Sequence, residues 1–187
     1  MIEVFKTKLD GVLEVRPKKF GDDRGFFSET YHAQRFSDVG IPTAFVQDNQ
    51  SYSAATGVLR GLHYQLDPHA QGKLVRVTKG RIFDVAVDIR RGSPTFAQWV
   101  GVELSEEGWN QLYIPAGFAH GFLTLVPGVE VVYKVTDYYA PECDRSIRFD
   151  DPTIGVNWPI SSTEVQLSEK DRNAPLLADA DVFDFRS

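Results

Sequence analysis

Cysteine is almost absent from this chain: Cys143 is the only one among 187 residues. Its solitude excludes an intramolecular disulfide and any CxxC metal or redox motif. Cys143 sits in the polar run PECDR, with no helix start or basic pair to activate it, so it reads as an ordinary thiol. Long hydrophobic runs are missing too. No stretch reaches the ~18 apolar residues of a membrane-spanning helix, and the opening MIEVFKTKLDGVLEV alternates like a strand where a signal peptide would carry an apolar core. The expected location is the cytoplasm. Positive charge is in deficit, with 20 Lys and Arg against 26 Asp and Glu and a net charge of -6. Nothing in that balance draws the chain to nucleic acid or an anionic membrane, so an anionic ligand needs a local basic cluster. No GxGxxG turn between strand and helix occurs, and no phosphate-binding P-loop. Repeats, low-complexity tracts and linkers are lacking as well, which predicts one domain spanning 1–187.

What the chain does contain is a series of about ten short alternating segments separated by turn signals, the pattern of an all-β sandwich or barrel. Val12 to Val15 and Gly25 to Tyr31 read as strands, with FGDDRG as a turn before the second, and His32 to Val39 allows a helical turn or two. Ile82 to Ile89 places Phe83, Val85, Val87 and Ile89 on one face and Asp84 and Asp88 on the other, and reads as structural. Arg90, Arg91 and Gly92 follow as a solvated basic loop. Near the end, Ser168 is a sound N-cap for a short helix in LSEKDR.

The stretch GVLRGLHYQLDPHAQGKLVRVTK, from Gly57 to Lys79, sets Arg60, His63, Lys73 and Arg76 among strand-forming residues. Polar groups in such a place cost stability unless paired or used. Alternation puts Lys73 on the side of Val75 and Val77, facing a core or cavity. Strict alternation would also separate Arg60 from His63, so their convergence requires a bulge, expected at Gly61. A second stretch, YIPAGFAHGF, aligns Phe118, His120 and Phe122 after a turn, and Val129 to Asp137 aligns Val131, Tyr133 and Val135. Two inward histidines and an inward lysine point to a polar pocket within a small β-barrel.

The segments FGDDRGFFSETY, FVQDNQS, GVLRGLHYQ, QGKLVR, FDVAVDIRRGSPTFAQWV, IPAGFAHGF and LSEKDR together resemble the dTDP-4-dehydrorhamnose 3,5-epimerase family, a branch of the cupins, over nearly the whole chain. The resemblance implies an all-β, cupin-type double-stranded β-helix, or jelly-roll barrel, with a few short peripheral helices. It also implies a homodimeric isomerase that inverts C3 and C5 of dTDP-4-dehydro-6-deoxy-D-glucose. His63 is then the base, Asp171 its partner, Lys73 the cation for an enolate oxygen and Tyr133 the acid on the opposite face. His120 is a second donor or a hydroxyl contact. Arg24 and Glu29 match residues that reach the nucleotide in the partner's site. Gln47, Asp48 and Asn49, in a row of amides and a carboxylate, match ligand contacts, as does Lys170. Arg60 and Arg24 suit the diphosphate. Phe20, Phe27 and Tyr138 offer flat surfaces for thymine, with the choice among them open. One departure stands out: Asp144 in PECDR replaces the glutamate usual in the family, which weakens the ligand contact carried to that position.

No metal and no redox cofactor are expected. Metal cupins use an HxH pair, a glutamate and a further histidine, whereas here His63 is followed two residues on by Gln65 and no glutamate lies between His63 and Gly80. A lysine at Lys73 opposes a metal and favours an oxyanion. Two rival readings stay open at this stage, a relative that inverts one carbon only and a non-catalytic cupin that merely binds a nucleotide sugar.

Overall fold

The computed structural model describes residues 2–41, 44–161 and 163–185. Fifteen strands occur among them. They are β1 (Ile2–Lys6), β2 (Leu13–Pro17), β3 (Lys19–Asp22), β4 (Gly25–Ser28), β5 (Gln47–Ser53), β6 (Leu59–Gln65), β7 (Lys73–Lys79) and β8 (Arg81–Asp88). Then come β9 (Arg90–Arg91), β10 (Trp99–Ser105), β11 (Gln111–Ile114), β12 (Phe118–Thr124), β13 (Val129–Val135), β14 (Asp144–Ser146) and β15 (Phe183–Asp184). Two short helices accompany them, α1 (Ala33–Ser37), capped by His32, and α2 (Glu169–Arg172), capped by Ser168.

Six strands in the order β1-β2-β11-β7-β13-β5 form one antiparallel sheet, and five in the order β10-β8-β12-β6-β14 form the other. From β5 to β8, and again from β10 to β14, consecutive strands alternate between the two sheets. The all-β jelly roll expected from the sequence is the fold observed. Between the sheets lies a core of Val75, Val77, Leu112, Ile114 and Val131 from the first and Ile82, Ala86, Phe118 and Phe122 from the second. Burying each such side chain is worth about 1.5–3 kcal/mol, so this layer holds the two sheets face to face.

The second sheet is buried on its outer side as well. Val85 and Val87 of β8 and Leu62 of β6 pack there with Ile147, Ile154 and Leu177 from the loops and C-terminal segment. Alternation alone leaves open which face of β8 turns inward. Its most apolar face turns away from the barrel interior, and the face carrying Asp84 turns into it, because a strand covered on both sides does not reveal its inward side by hydrophobicity. Arg90 departs from expectation. It is no solvated loop residue: its guanidinium makes two hydrogen bonds to the buried Asp88 carboxylate, at 2.9 and 2.8 Å, and lies over the Phe118 ring.

β3 and β4 stand apart as a two-stranded hairpin. Phe20, Phe26 and Phe27 are all more than half exposed on it. No helix among the described residues is long and apolar enough to cross a membrane.

Candidate active site

Strands β6, β7, β12 and β13 bring the polar residues of the interior together. On β6 the expected bulge is present. His63 pairs with His120 and Arg60 with Phe122, so three steps along β6 match two along β12. Arg60 and His63 thereby reach the same cavity. Only glycine fits at the bulge: Gly61 has φ +121°, and an added Cβ would lie 2.5 Å from the Gly121 Cα.

The cavity, about 510 Å³, is lined by Arg60, His63, Lys73, His120, Tyr133 and Asp171, with Leu59 and Phe122 as apolar wall. A second space of about 290 Å³ shares His63, Lys73, Tyr133 and Lys170 with it and adds Gln47, Asn49, Tyr139 and Asp144. Volumes of this order suit a small organic ligand.

His63 Nε2 lies 2.5 Å from Asp171 Oδ1. The Ser168 hydroxyl caps α2 by accepting from the Asp171 backbone N–H at 3.1 Å, and Asp171 as a whole is 3% exposed. Burial works to raise the Asp171 carboxyl, but the hydrogen bond and charge of His63, with donors at Ser168 and Gly61, bring it below the ordinary range. An ionised carboxylate only accepts, so it holds the proton on Nε2 and leaves Nδ1 as the free basic nitrogen.

Lys73, 8% exposed, donates to the His63 carbonyl at 3.2 Å. Burial brings its pKa down to about 8, against the opposing charges of Asp84 and Asp144. Near neutral pH it is a desolvated ammonium. The phenol of Tyr133 is raised by burial, with Arg60 in opposition, and keeps its proton there. His120 Nε2 lies 2.7 Å from Asp84 Oδ1. Burial pushes the His120 ring below its ordinary pKa, against the pull of Asp84, and Lys73 and His63 add to the depression. Arg60 donates to the Ser53 hydroxyl and the Tyr52 carbonyl, at 3.3 and 3.1 Å.

Not every residue singled out by sequence meets here. Gln47 and Asn49 face the second space, their side chains joined by a hydrogen bond of 2.8 Å. Asp48 between them points to the opposite side of the sheet, where both its oxygens accept from Lys134 at 2.9 Å. Reading three consecutive strand residues as one cluster ignored the alternation of the pleat. Tyr139, not Tyr138, lines the pocket, with its hydroxyl 3.3 Å from Asp144. Asp144 is at the pocket and forms an ion pair with Lys170, so the shorter carboxylate still reaches a cation there. Arg24 and Glu29 lie outside the cavity of their own chain, paired with Asp22 and Arg35 at 2.5 Å each. Phe20 and Phe27 stand on the same exposed hairpin.

Asp84 is the residue that sequence reasoning missed. The available signal was an aspartate placed two residues from Ala86 on the less apolar face of a strand taken as structural. Among the described residues no group of three or more His, Cys, Asp or Glu side chains is arranged to hold a metal ion.

The family model described as dTDP-4-dehydrorhamnose 3,5-epimerase matches residues 6–179. A protein of that name from Pseudomonas aeruginosa is 56% identical over 179 residues, covering 95% of this chain and 97% of its own. One from Salmonella typhimurium is 54% identical over 181 residues, covering 96% and 98%. The crystal structure of dTDP-6-deoxy-D-glucose-3,5-epimerase from Legionella pneumophila in complex with dTDP-4-keto-L-rhamnose superposes with a TM-score of 0.95, at 49% identity and full coverage of both chains. With most of its length matched by the family model and such identity to its relatives, the chain belongs to the dTDP-4-dehydrorhamnose 3,5-epimerase family.

Proposed function

We propose that this protein inverts C3 and C5 of dTDP-4-dehydro-6-deoxy-D-glucose to give dTDP-4-dehydro-L-rhamnose, for dTDP-L-rhamnose biosynthesis. The observation that carries the reading is the meeting of the His63–Asp171 pair, Lys73 and Tyr133 in one cavity. His63 Nδ1 removes the proton on a carbon beside the C4 ketone. The electron pair of that C–H bond moves to the C4 oxygen, and the resulting enolate is stabilised by the Lys73 ammonium. A single positioned donor of this kind is worth on the order of 3 kcal/mol of barrier. The Tyr133 hydroxyl then protonates the same carbon from the other face, and the enolate returns to the ketone. Solvent restores neutral His63 and the Tyr133 phenol before the second carbon reacts. No electrons are gained or lost overall.

Arg60 and Lys170 suit the diphosphate, Gln47 and Asn49 the base or sugar edges, and Tyr139 a stacked ring. The exposed Phe20, Arg24 and Phe27 and the half-buried Glu29, all outside their own cavity's lining, support a homodimer in which this segment completes the partner's site. The reading includes one domain over the whole chain, a cytoplasmic location, and no nucleic-acid or membrane partner, the last supported by the net charge of -6.

The test is NMR of dTDP-4-dehydro-6-deoxy-D-glucose with the purified protein in deuterated water. Deuterium at both C3 and C5, with an L-sugar product, is the expected result. Incorporation at one carbon only would replace the reading with a single epimerase, and tight binding without exchange would replace it with a binding protein.

A further inference from the structure

The cavity holds a second histidine–carboxylate pair that the reaction as written does not use. His120 comes from β12 and Asp84 from β8, and Asp84 is fully buried with its Oδ2 lacking a hydrogen-bond partner among the described residues. A buried carboxylate so placed is costly, and an apolar side chain of similar volume would pack there without the penalty. The pairing with His120 is its one hydrogen bond among the described residues, and the ring nitrogen on the other side, Nδ1, has none.

We propose that Asp84 is a positioning residue: it holds the His120 proton on Nε2, so that neutral His120 meets the sugar with a lone pair and accepts a hydrogen bond from a ring hydroxyl. This rests on the proposed function, which supplies a sugar carrying free hydroxyls at C2 and at C3, the latter next to the ketone. The geometry limits the alternatives. With Asp84 Oδ1 as the acceptor 2.7 Å away, Nε2 is the donor, and a neutral imidazole with its proton on one nitrogen can only accept at the other. The enolate oxygen, which needs a donor, is thereby left to Lys73. Of the two roles that the resemblance leaves open for His120, second enolate donor or hydroxyl contact, this selects the second.

The surroundings favour the neutral ring. His120 is 7% exposed, the Lys73 ammonium and His63 both disfavour a further positive charge on it, and only Asp84 pulls the other way. A base must take a proton and carry the charge; an acceptor need not. The sheet therefore presents two histidines with opposite duties. One, His63, is a third exposed to the cavity, and the other is kept dry and neutral as a reader of hydroxyl position. A hydroxyl held at Nδ1 fixes the rotation of the sugar ring relative to His63 and Tyr133, which decides the carbon exposed to the base.

The deciding measurement is ¹⁵N NMR of histidine-labelled, ligand-free protein near neutral pH, with assignment of His120 by its loss in His120→Asn. The expected signature is a neutral ring protonated at Nε2 and bare at Nδ1. A proton on Nδ1, or an imidazolium, overturns the proposal without any variant having to fold. Asp84→Leu, of similar volume and unable to accept, is expected to give a mixture of the two tautomers and to lower kcat/KM for the dTDP-sugar about tenfold or more. A tautomer shift with unchanged kcat/KM overturns the hydroxyl-acceptor role, and a lower kcat/KM with an unshifted ring reduces Asp84 to a packing residue. Because the spectrum is recorded without substrate, a protein that shows the Nε2 proton yet exchanges no sugar proton would sink the proposed reaction and leave the Asp84–His120 assignment standing.

Discussion

His63 and His120 lie opposite one another in register across β6 and β12, and each sets Nε2 on a buried carboxylate, at 2.5 Å to Asp171 and 2.7 Å to Asp84. They are unequal in access. The His63 side chain is 33% exposed and that of His120 8%. Removal of the base should therefore act on the chemical step, whereas removal of its neighbour should act on placement of the sugar. His63→Asn is expected to lower kcat by about a hundred- to ten-thousandfold with little change in KM, as for loss of a general base. His120→Asn is expected to raise KM along with a smaller loss in kcat. Steady-state kinetics on both variants separates the two, and an unaffected His63→Asn enzyme would remove the base assignment.

Tyr133→Phe keeps the ring and its packing but deletes the proton to be returned. The variant is expected to retain solvent exchange at the carbon that His63 deprotonates while inversion falls by about a hundredfold or more. Product stereochemistry and deuterium content, read in the same NMR spectrum, check this. Inversion at the wild-type rate would exclude Tyr133 as the acid.

Lys73 gives activity and stability opposite dependences on alkaline pH. The enolate needs the ammonium, so kcat is expected to decline as pH rises through about 8, the value to which burial brings this side chain. The folded state disfavours that charge relative to the unfolded chain, whose lysine titrates at its ordinary value of 10.5. Between about 8 and 10.5 the unfolded chain thus binds more protons than the folded one, and this group's contribution to stability rises with pH. A pH–rate profile beside denaturant titrations at the same pH values tests both signs. Lys73→Met should flatten the dependence of stability and abolish most of the rate.

Gly61→Ala challenges the bulge. Its Cβ would meet the Gly121 backbone at 2.5 Å in a conformation that side chains rarely adopt, so a loss of about 1–3 kcal/mol in folding stability is expected. If the variant folds, Arg60 and His63 should no longer converge, and kcat/KM should fall further than stability alone explains. Thermal unfolding and kinetics on the same preparation report the two effects.

The homodimer reading makes a distinct prediction about mixtures. Arg24→Ala and His63→Ala proteins, each nearly inactive alone, are expected to regain part of the activity when mixed and allowed to exchange subunits. In the mixed dimer one site combines an intact His63 with an intact Arg24 from the partner. Sedimentation as a monomer, or no recovery after proven exchange, would sink this reading.

Much of the interior was legible because alternation is a strict geometric rule. Lys73 beside Val75, Tyr133 beside Val131 and the bulge at Gly61 all follow from counting residues along a strand, and Ser168 announces the helix that presents Asp171. Proximity across 108 residues of chain is another matter, since only the family resemblance joined His63 to Asp171. The errors have one physical source. Asp48 was grouped with its chain neighbours although the pleat turns it away, and Asp84 was passed over because β8, a cleanly alternating strand with one strongly apolar face, read as structural. In a sheet covered on both sides, hydrophobicity identifies what is buried and says nothing about which cavity a polar residue serves.

The separation of His63 from Asp171 also has a meaning in time. A ribosome adding about 5–20 residues per second needs roughly 5–20 s to reach the carboxylate after the imidazole has been made. All of β7 to β14 is synthesised in that interval. The sheets that carry His63, Lys73 and Tyr133 thus exist as polypeptide before the group that orients the base does, and the site becomes complete only as the last short helix arrives. An interrupted chain of this protein would own most of a binding cavity and none of its oriented base.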